Sequence, residues 1–360
     1  MISYFLGANS SKGFFSLYHE LIPRENAKAV YYIKGGPGCG KSTFMKQIAT
    51  AALESGYQVE YILCSGDPDS LDGLVLPELG VAFSDATAPH VQEPVLPGAV
   101  DHYINLEPCY NAAALAPLRP ELEAATADYK GCYDRAYRSL AAAESIEADC
   151  RAMLEPALNK EKMEKRIRGI LSREFRKGAT QTGTVTHRFL SALSCQGQLC
   201  LWDTVAALCS RVYVLEDSHG LSHTFLSALL PPALAAGQDC VVCLSPLTPE
   251  RIEHLLFPDA GLAFVTSTSN LPYPGKAYRH IHMDTMLDPE LVRSCRSRLR
   301  FSHKVSFALV QDGLSSLQEA KQLHDNLEEI YHPHVDFQKG TLLAQDLIRQ
   351  LHLDKKRDLK

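Results

Sequence analysis

Short apolar runs alternate with amphipathic stretches along the chain, and this alternation predicts an α/β protein. Residues 29–33 are apolar, β-branched or aromatic, as in a buried strand. A glycine-rich loop follows, and residues 44–49 then read as the start of a helix. Residues 59–63 and 79–85 are two further apolar runs that predict strands. The pattern favours strands and helices packed in layers.

The pattern occurs twice, at an offset that falls slowly along the chain. Phe5 corresponds to Phe189, an offset of 184 residues, and Ser139 corresponds to Ser316, an offset of 177. A drift in one direction is what small deletions produce in an internal repeat. We therefore predict two pseudo-repeated parallel-sheet lobes with helical additions.

The loop after the first apolar run matches G-x-x-x-x-G-K-[ST], the phosphate-binding P-loop. Glycines let backbone N–H groups surround an anion, and a helix N-terminus adds its positive end. Lys41 is expected to reach the β- and γ-phosphates, and Ser42 to hold Mg²⁺. The predicted nucleotide-binding residues are Gly35, Gly36, Pro37, Gly38, Cys39, Gly40, Lys41, Ser42 and Thr43.

A P-loop NTPase also needs a carboxylate near Mg²⁺, at the end of a buried strand. Asp85 ends the apolar run 79–85 and is predicted to be catalytic and metal-binding, with a turn-forming role as the alternative. The loop 65–73 offers other carboxylates for the metal, and ordinary turn formation explains them equally. These are Asp67, Asp69 and Asp72.

The second copy has lost the residues that bind phosphate. Asp217 stands where the first copy has Gly35, and His223 where it has Lys41. One residue is also missing near Ser42. A carboxylate in the loop repels phosphate, so we expect one nucleotide site per chain.

These features together resemble a family of tandem P-loop ATPase-like proteins of Gram-positive bacteria. The resemblance rests on residues 33–43, 67–73, 77–81, 88–91 and 97–101, and it covers nearly the whole chain. It implies nucleotide binding and transfers no settled substrate. In many members of that family both halves resemble intact P-loops, and this chain departs from them at residues 217–223.

Composition narrows the functional class. The chain has 360 residues, 46% of them apolar, and a formal net charge of −6, which argues against a general nucleic-acid binder. The start lacks a basic region followed by a long apolar run, and no membrane helix is predicted, so we expect a cytoplasmic protein. No N/T-K-x-D motif for guanine is present, which favours adenine.

The predicted organisation has four parts. A lobe with the intact P-loop spans 1–158, a basic amphipathic connector 159–182, a degenerate lobe 183–345 and a charged tail 346–360. The helical additions are placed at about 117–158 and 312–331.

Three further side chains are weighed for a role in the chemistry. His90 is a candidate base or phosphate donor, although a loop histidine is more often neither. Arg166 or Arg168, on the basic connector, is a candidate arginine finger, against a solvated basic face.

Magnesium-dependent ATP hydrolysis or phosphoryl transfer at the N-terminal site is the expected function. Two alternatives stay open: a small-molecule or nucleotide kinase, and an ATP-gated interaction protein with negligible turnover. The acceptor, the partner and the oligomeric state are not predicted.

Overall fold

The fold is described from a computed structural model, which covers residues 1–175 and 181–355. Arg176 and Lys177 of the predicted connector and the last five residues of the predicted tail lie outside the described residues. Within the described ranges, no helix is both long and apolar enough to cross a bilayer.

The first half contains eight strands and four helices within its described residues. In chain order they are β1 (Ile2–Phe5), β2 (Gly7–Ser10), β3 (Gly13–Ser16), β4 (Ala29–Lys34), α1 (Lys41–Glu54), β5 (Glu60–Leu63), β6 (Leu71–Leu76), β7 (Val81–Asp85), β8 (Asp101–Asn105), α2 (Ala112–Leu115), α3 (Arg119–Leu154) and α4 (Lys160–Glu174). The sheet order is β1-β5-β6-β7-β4-β8, and β2 pairs with β3 in a separate hairpin.

The second half repeats this series within its described residues, except that a helix follows its third strand and the short helix α2 has no counterpart. Its elements are β9 (Val185–Arg188), β10 (Ser191–Ser194), β11 (Gly197–Cys200), α5 (Trp202–Leu208), β12 (Arg211–Glu216), α6 (Ser222–Ala235), β13 (Cys240–Leu244), β14 (Ile252–Phe257), β15 (Leu262–Ser267), β16 (Arg279–His282), α7 (Pro289–Tyr331) and α8 (Phe337–Gln350). The sheet order, β9-β13-β14-β15-β12-β16, is that of the first half strand for strand.

The predicted α/β class is confirmed, but both sheets are mixed, so the prediction of parallel sheets was wrong at one strand of each. Strand β6 runs antiparallel to β5 and β7, and β14 runs antiparallel to β13 and β15. The other pairings in the two sheets are parallel. The physical reason is connection length: the links on either side of β6 are too short for the crossover that a parallel pair needs.

The two long helices α3 and α7 pack against each other in opposite directions. Arg135, near the middle of α3, pairs with Glu319, and Asp149, nearer the end of α3, lies 3.4 Å from Arg298. Between these two contacts α7 lies close to α3 at Gly313, where a Cβ would stand 3.0 Å from the Leu140 side chain. Predicted helices 117–158 and 312–331 are thus part of this pair, and α7 begins well before the predicted start.

The helix that follows each long helix packs against the opposite half. Helix α4 is the last element of the first half, yet its Met163, Ile167 and Ile170 are buried with the core of the second half. Helix α8 is the last element of the second half, and its Leu347 is buried with α1 of the first. The predicted boundary between residues 345 and 346 lies inside α8.

A third core lies between the halves and contains residues of both. Phe5 and Phe189 are fully buried in it and exchange two backbone hydrogen bonds of 2.9 and 3.0 Å. Because this pair joins equivalent residues, the two halves meet around a pseudo-twofold axis.

Replacing Ile170 with Ala should destabilise the protein by about 2–4 kcal/mol, because Ile170 is fully buried between α4 and the second half. Urea unfolding of the two proteins measures the difference. Lys165→Ala is the matched control, since Lys165 is exposed on the same helix and its truncation should change the free energy of unfolding little. Equal small effects of both changes would contradict the packing of α4 described here.

Candidate functional site

The P-loop connects the end of β4 to the start of α1, in the strand–loop–helix arrangement predicted from the sequence. The strand ends at Lys34 and the helix begins at Lys41. Gly38 and Gly40 have φ angles of 68° and 88°, in the left-handed region that favours glycine. These two glycines of the motif therefore stand where the backbone conformation favours glycine.

Lys41 lies over the loop that precedes it. Its Nζ donates hydrogen bonds of 2.9 Å to the carbonyl oxygens of Gly35 and Gly36, and it stands 3.6 Å from Oδ2 of Asp85. Both charged side chains are mostly buried, with side-chain exposures of 15% and 10%. The loop lysine and the strand-end carboxylate predicted from the sequence thus lie together.

Asp85 reaches this position because β7 lies beside β4 in the sheet. Its backbone is in register with Ile33, near the end of the P-loop strand. Its Oδ1 accepts hydrogen bonds from the backbone N–H and the hydroxyl of Thr87, at 2.8 and 2.6 Å. Burial raises the pKa of Asp85, while Lys41 acts in the opposite direction. Asp85 also closes a turn with Thr87, which is the turn-forming role weighed from the sequence, and its metal-binding role stays a prediction.

The other predicted carboxylates separate into two groups. Asp72 lies on β6 and not in the loop where the sequence placed it. Asp67 and Asp69 stay in the loop and contact the second half: Lys321 lies 3.5 Å from Asp67, and Gln196 donates a 2.9 Å hydrogen bond to Asp69. Those two carboxylates therefore serve contacts between the halves.

Asp72 and His90 form a buried ion pair. The charge of Asp72 also acts on Asp85 and contributes to its raised pKa. Nε2 of His90 lies 3.1 Å from Oδ2 of Asp72, and Tyr18 donates a 3.2 Å hydrogen bond to the same oxygen. Burial disfavours the charged form of each partner, but their mutual attraction outweighs it. The net pKa of His90 is raised and that of Asp72 is lowered.

The Asp72–His90 pair is enclosed by protein. The His90 ring contacts the rings of Phe14 and Tyr18, at centroid distances of 5.0 and 4.8 Å. These surroundings indicate that the charge pair has a structural role. It gives no support to His90 as a base or phosphate donor.

Residues remote in sequence cover the P-loop, and the sequence alone did not indicate them. The Tyr110 hydroxyl donates a 2.7 Å hydrogen bond to the carbonyl of Pro37. The N–H of Gly38 donates a 3.0 Å hydrogen bond to the Glu328 carboxylate, on the last turn of α7. A Cβ on Gly38 would lie 3.1 Å from the His332 ring, so glycine is also needed for close approach.

In the second half, the chain's own carboxylate fills the corresponding loop. The Asp217 side chain accepts hydrogen bonds from the backbone N–H groups of His219 and Ser222, at 3.0 and 2.6 Å. The carboxylate thus accepts one N–H group of the loop and the first N–H group of α6.

The sequence comparison predicted that the residue missing from the second copy lies near Ser42. The structure places the deletion before the helix, in the loop itself. Helix α6 begins at Ser222 and α1 at Lys41, so Ser222 takes the place of Lys41 in the fold. His223 instead accepts a 2.9 Å hydrogen bond from the N–H of Ile252, and burial lowers its pKa to about 4.

The two candidate arginine fingers lie on α4, which packs on the second half. Arg166 donates a long hydrogen bond of 3.4 Å to the carbonyl of His280 on β16. Arg168 pairs with Glu164 on its own helix at 3.5 Å, and 70% of its side chain is exposed. These contacts favour the solvated basic face and give no support to a role at the P-loop.

Comparison with family models, with curated proteins and with solved structures found no match.

The Asp72–His90 pair should make stability depend on pH. The pKa of His90 is raised above its ordinary value of 6.5, so the charged histidine stabilises the folded state. This contribution is complete below pH 6.5 and is lost as the pH rises through the folded-state pKa. The difference in unfolding free energy between wild type and His90→Gln should therefore shrink from pH 6 to pH 9. Urea unfolding at each pH measures it.

His19→Gln is the control for this series, because His19 is largely exposed. Its difference from wild type should be small at every pH, because substitutions of exposed side chains change the free energy of unfolding little. A difference for His90→Gln that stays constant or grows with pH would contradict the charged pair.

Proposed function

We propose that the chain binds Mg²⁺–ATP at one site, the P-loop of the first half. The observation that carries this proposal is Lys41, which stands over the glycine loop and 3.6 Å from the strand-end carboxylate of Asp85. A loop lysine for the phosphates and a carboxylate on the neighbouring strand are the two charged parts that P-loop NTPases require. On this basis we assign the first half to the P-loop NTPase fold, as the family resemblance implies.

The donor set beside Lys41 suits magnesium. Mg²⁺ takes oxygen ligands, and Ser42 and Asp85 offer a hydroxyl and a carboxylate at the start of α1 and the end of β7. Ser42 Oγ accepts a 2.9 Å hydrogen bond from the N–H of Leu71, which orients the hydroxyl. When bound, the ion neutralises charge that develops on the phosphates.

A single site follows from the filled loop of the second half. Asp217 holds the N–H groups that a phosphate needs, and its own charge repels the phosphate. Ser222 supplies no cation where the first half has Lys41. The second half therefore serves the nucleotide site of the first and binds no nucleotide of its own.

Hydrolysis or phosphoryl transfer at the γ-phosphate is the reaction we propose, by positioning and electrostatics. Steady-state phosphate release separates it from the alternatives. Release without an acceptor indicates an ATPase, transfer that needs an added acceptor indicates a kinase, and binding without either product indicates an ATP-gated interaction protein. We place the activity in the cytoplasm and expect no nucleic-acid partner.

Lys41→Ala should weaken Mg²⁺–ATP binding about a hundredfold, because the loop loses its charged contact to the phosphates. Titration calorimetry measures the affinity and the stoichiometry, which should be one per wild-type chain. Lys46→Ala is the matched control: Lys46 is exposed on the same helix, and its Nζ donates to the carbonyl of Asp69. Unchanged affinity in Lys41→Ala would disprove the site.

Asp85→Asn should lower turnover about a hundredfold and ATP affinity much less. The lost charge matters most when charge moves in the transition state. Asp67→Asn and Asp69→Asn are the controls, because those carboxylates contact the second half. Rates, affinities and melting temperatures of the three variants are compared. If Asp85→Asn keeps the wild-type rate and Mg²⁺ dependence, Asp85 does not belong to the site.

A further inference from the structure

The last turn of α7 places a carboxylate on the glycine loop. Oε1 of Glu328 accepts a hydrogen bond from the backbone N–H of Gly38 at 3.0 Å. About one third of the Glu328 side chain is exposed, so the carboxylate lies at the mouth of the loop. The two residues are 290 positions apart in sequence.

This N–H belongs to the set with which the loop would bind phosphate. Gly38 is the fourth residue of the P-loop motif, and the loop's backbone N–H groups cradle phosphate oxygens. A carboxylate is an anion of similar hydrogen-bonding character. Glu328 and a nucleotide phosphate therefore require the same donor and cannot both use it.

The contact is fixed by its surroundings. Tyr110, which binds Pro37 of the loop, also packs against Tyr331 at the end of α7, with ring centroids 5.4 Å apart. The N–H of Asn111 donates a 2.8 Å hydrogen bond to the carbonyl of His334. The end of α7 is thus bound to the segment beside the loop, and Glu328 is held over Gly38.

The repeat gives an independent indication that this contact is part of the architecture. Arg151 stands three residues before the end of α3, as Glu328 does in α7. Its side chain lies against the loop of the second half, where a Cβ on Gly220 would be 3.4 Å away. Each long helix therefore ends on the loop of the opposite half. At that position the intact loop faces an acid, and the filled loop faces a base.

We propose that Glu328 is an internal competitor of the nucleotide phosphates, so that ATP binds only when the last turn of α7 withdraws from the P-loop. This inference rests on the proposed function, because it concerns the same loop. It adds that the second half regulates the site, and that nucleotide binding changes the packing of the α3–α7 pair.

Glu328→Gln tests the competition, because it removes the charge and preserves the shape of the side chain. The affinity of the full chain for Mg²⁺–ATP should rise about tenfold or more, since a charge-assisted hydrogen bond no longer opposes binding. Glu329→Gln is the matched control: it removes the same charge from the exposed neighbour on the same helix. Calorimetry of the three proteins gives the comparison.

Hydrogen exchange supplies a second readout in the wild type. Saturating Mg²⁺–ATP should accelerate amide exchange in residues 328–336, where α7 ends. Protection of that segment by ATP would overturn the proposal.

The outcomes separate this inference from the proposed function. If wild type and Glu328→Gln bind ATP equally, or if Glu329→Gln gains as much, the competition is refuted and the nucleotide site stands. If Glu328→Gln binds more weakly, Glu328 assists binding and the proposal is overturned. If neither protein binds ATP, the proposed function fails and this inference fails with it.

Discussion

The structure depends on one requirement, that the backbone N–H groups at the start of α1 and α6 need an anion. Both helices follow an inner strand through a tight loop, and the first N–H groups of a helix have no partner within the helix itself. In the second half the Asp217 carboxylate accepts hydrogen bonds from two N–H groups, that of His219 in the loop and that of Ser222 at the start of α6. In the first half Glu328 reaches across from α7 to one of them. The second loop contains its own carboxylate, whereas the first is reached by one from another helix, and this difference is the reason we assign the nucleotide to the first half alone.

The crossed helices α3 and α7 allow a side chain from one half to reach the loop of the other. The antiparallel pair α3 and α7 carries each following helix to the opposite half, where α4 and α8 complete the outer cores. The central core around Phe5 and Phe189 joins the sheets directly. Because neither half has a complete core from its own residues, the halves are parts of one folding unit. A side chain near the end of one half can therefore act on the loop of the other.

Local features of the fold were predictable from sequence, and features that join distant segments were not. The P-loop residues and Asp85 are found where strand and loop patterns placed them, because those patterns report local conformation and burial. The antiparallel β6 was missed although the short links beside it contained the signal.

Glu328 was missed for a different reason. It lies on an amphipathic helix among many charged residues. Its contact with the N–H of Gly38 depends on how α3 and α7 cross. The drift of the repeat offset, which aligns Glu328 with Arg151, was the only signal in the sequence that could have marked it. The Asp72–His90 pair is similar, because antiparallel β6 brings Asp72 into the sheet beside β7.

A structure determined with Mg²⁺ and a non-hydrolysable ATP analogue tests the central claim most directly. We expect one nucleotide per chain, with its phosphates on the N–H groups of Gly38 to Ser42, the Glu328 carboxylate displaced, and Asp217 still on His219 and Ser222. A nucleotide bound at the second loop would contradict the account, as would one that leaves Glu328 on Gly38.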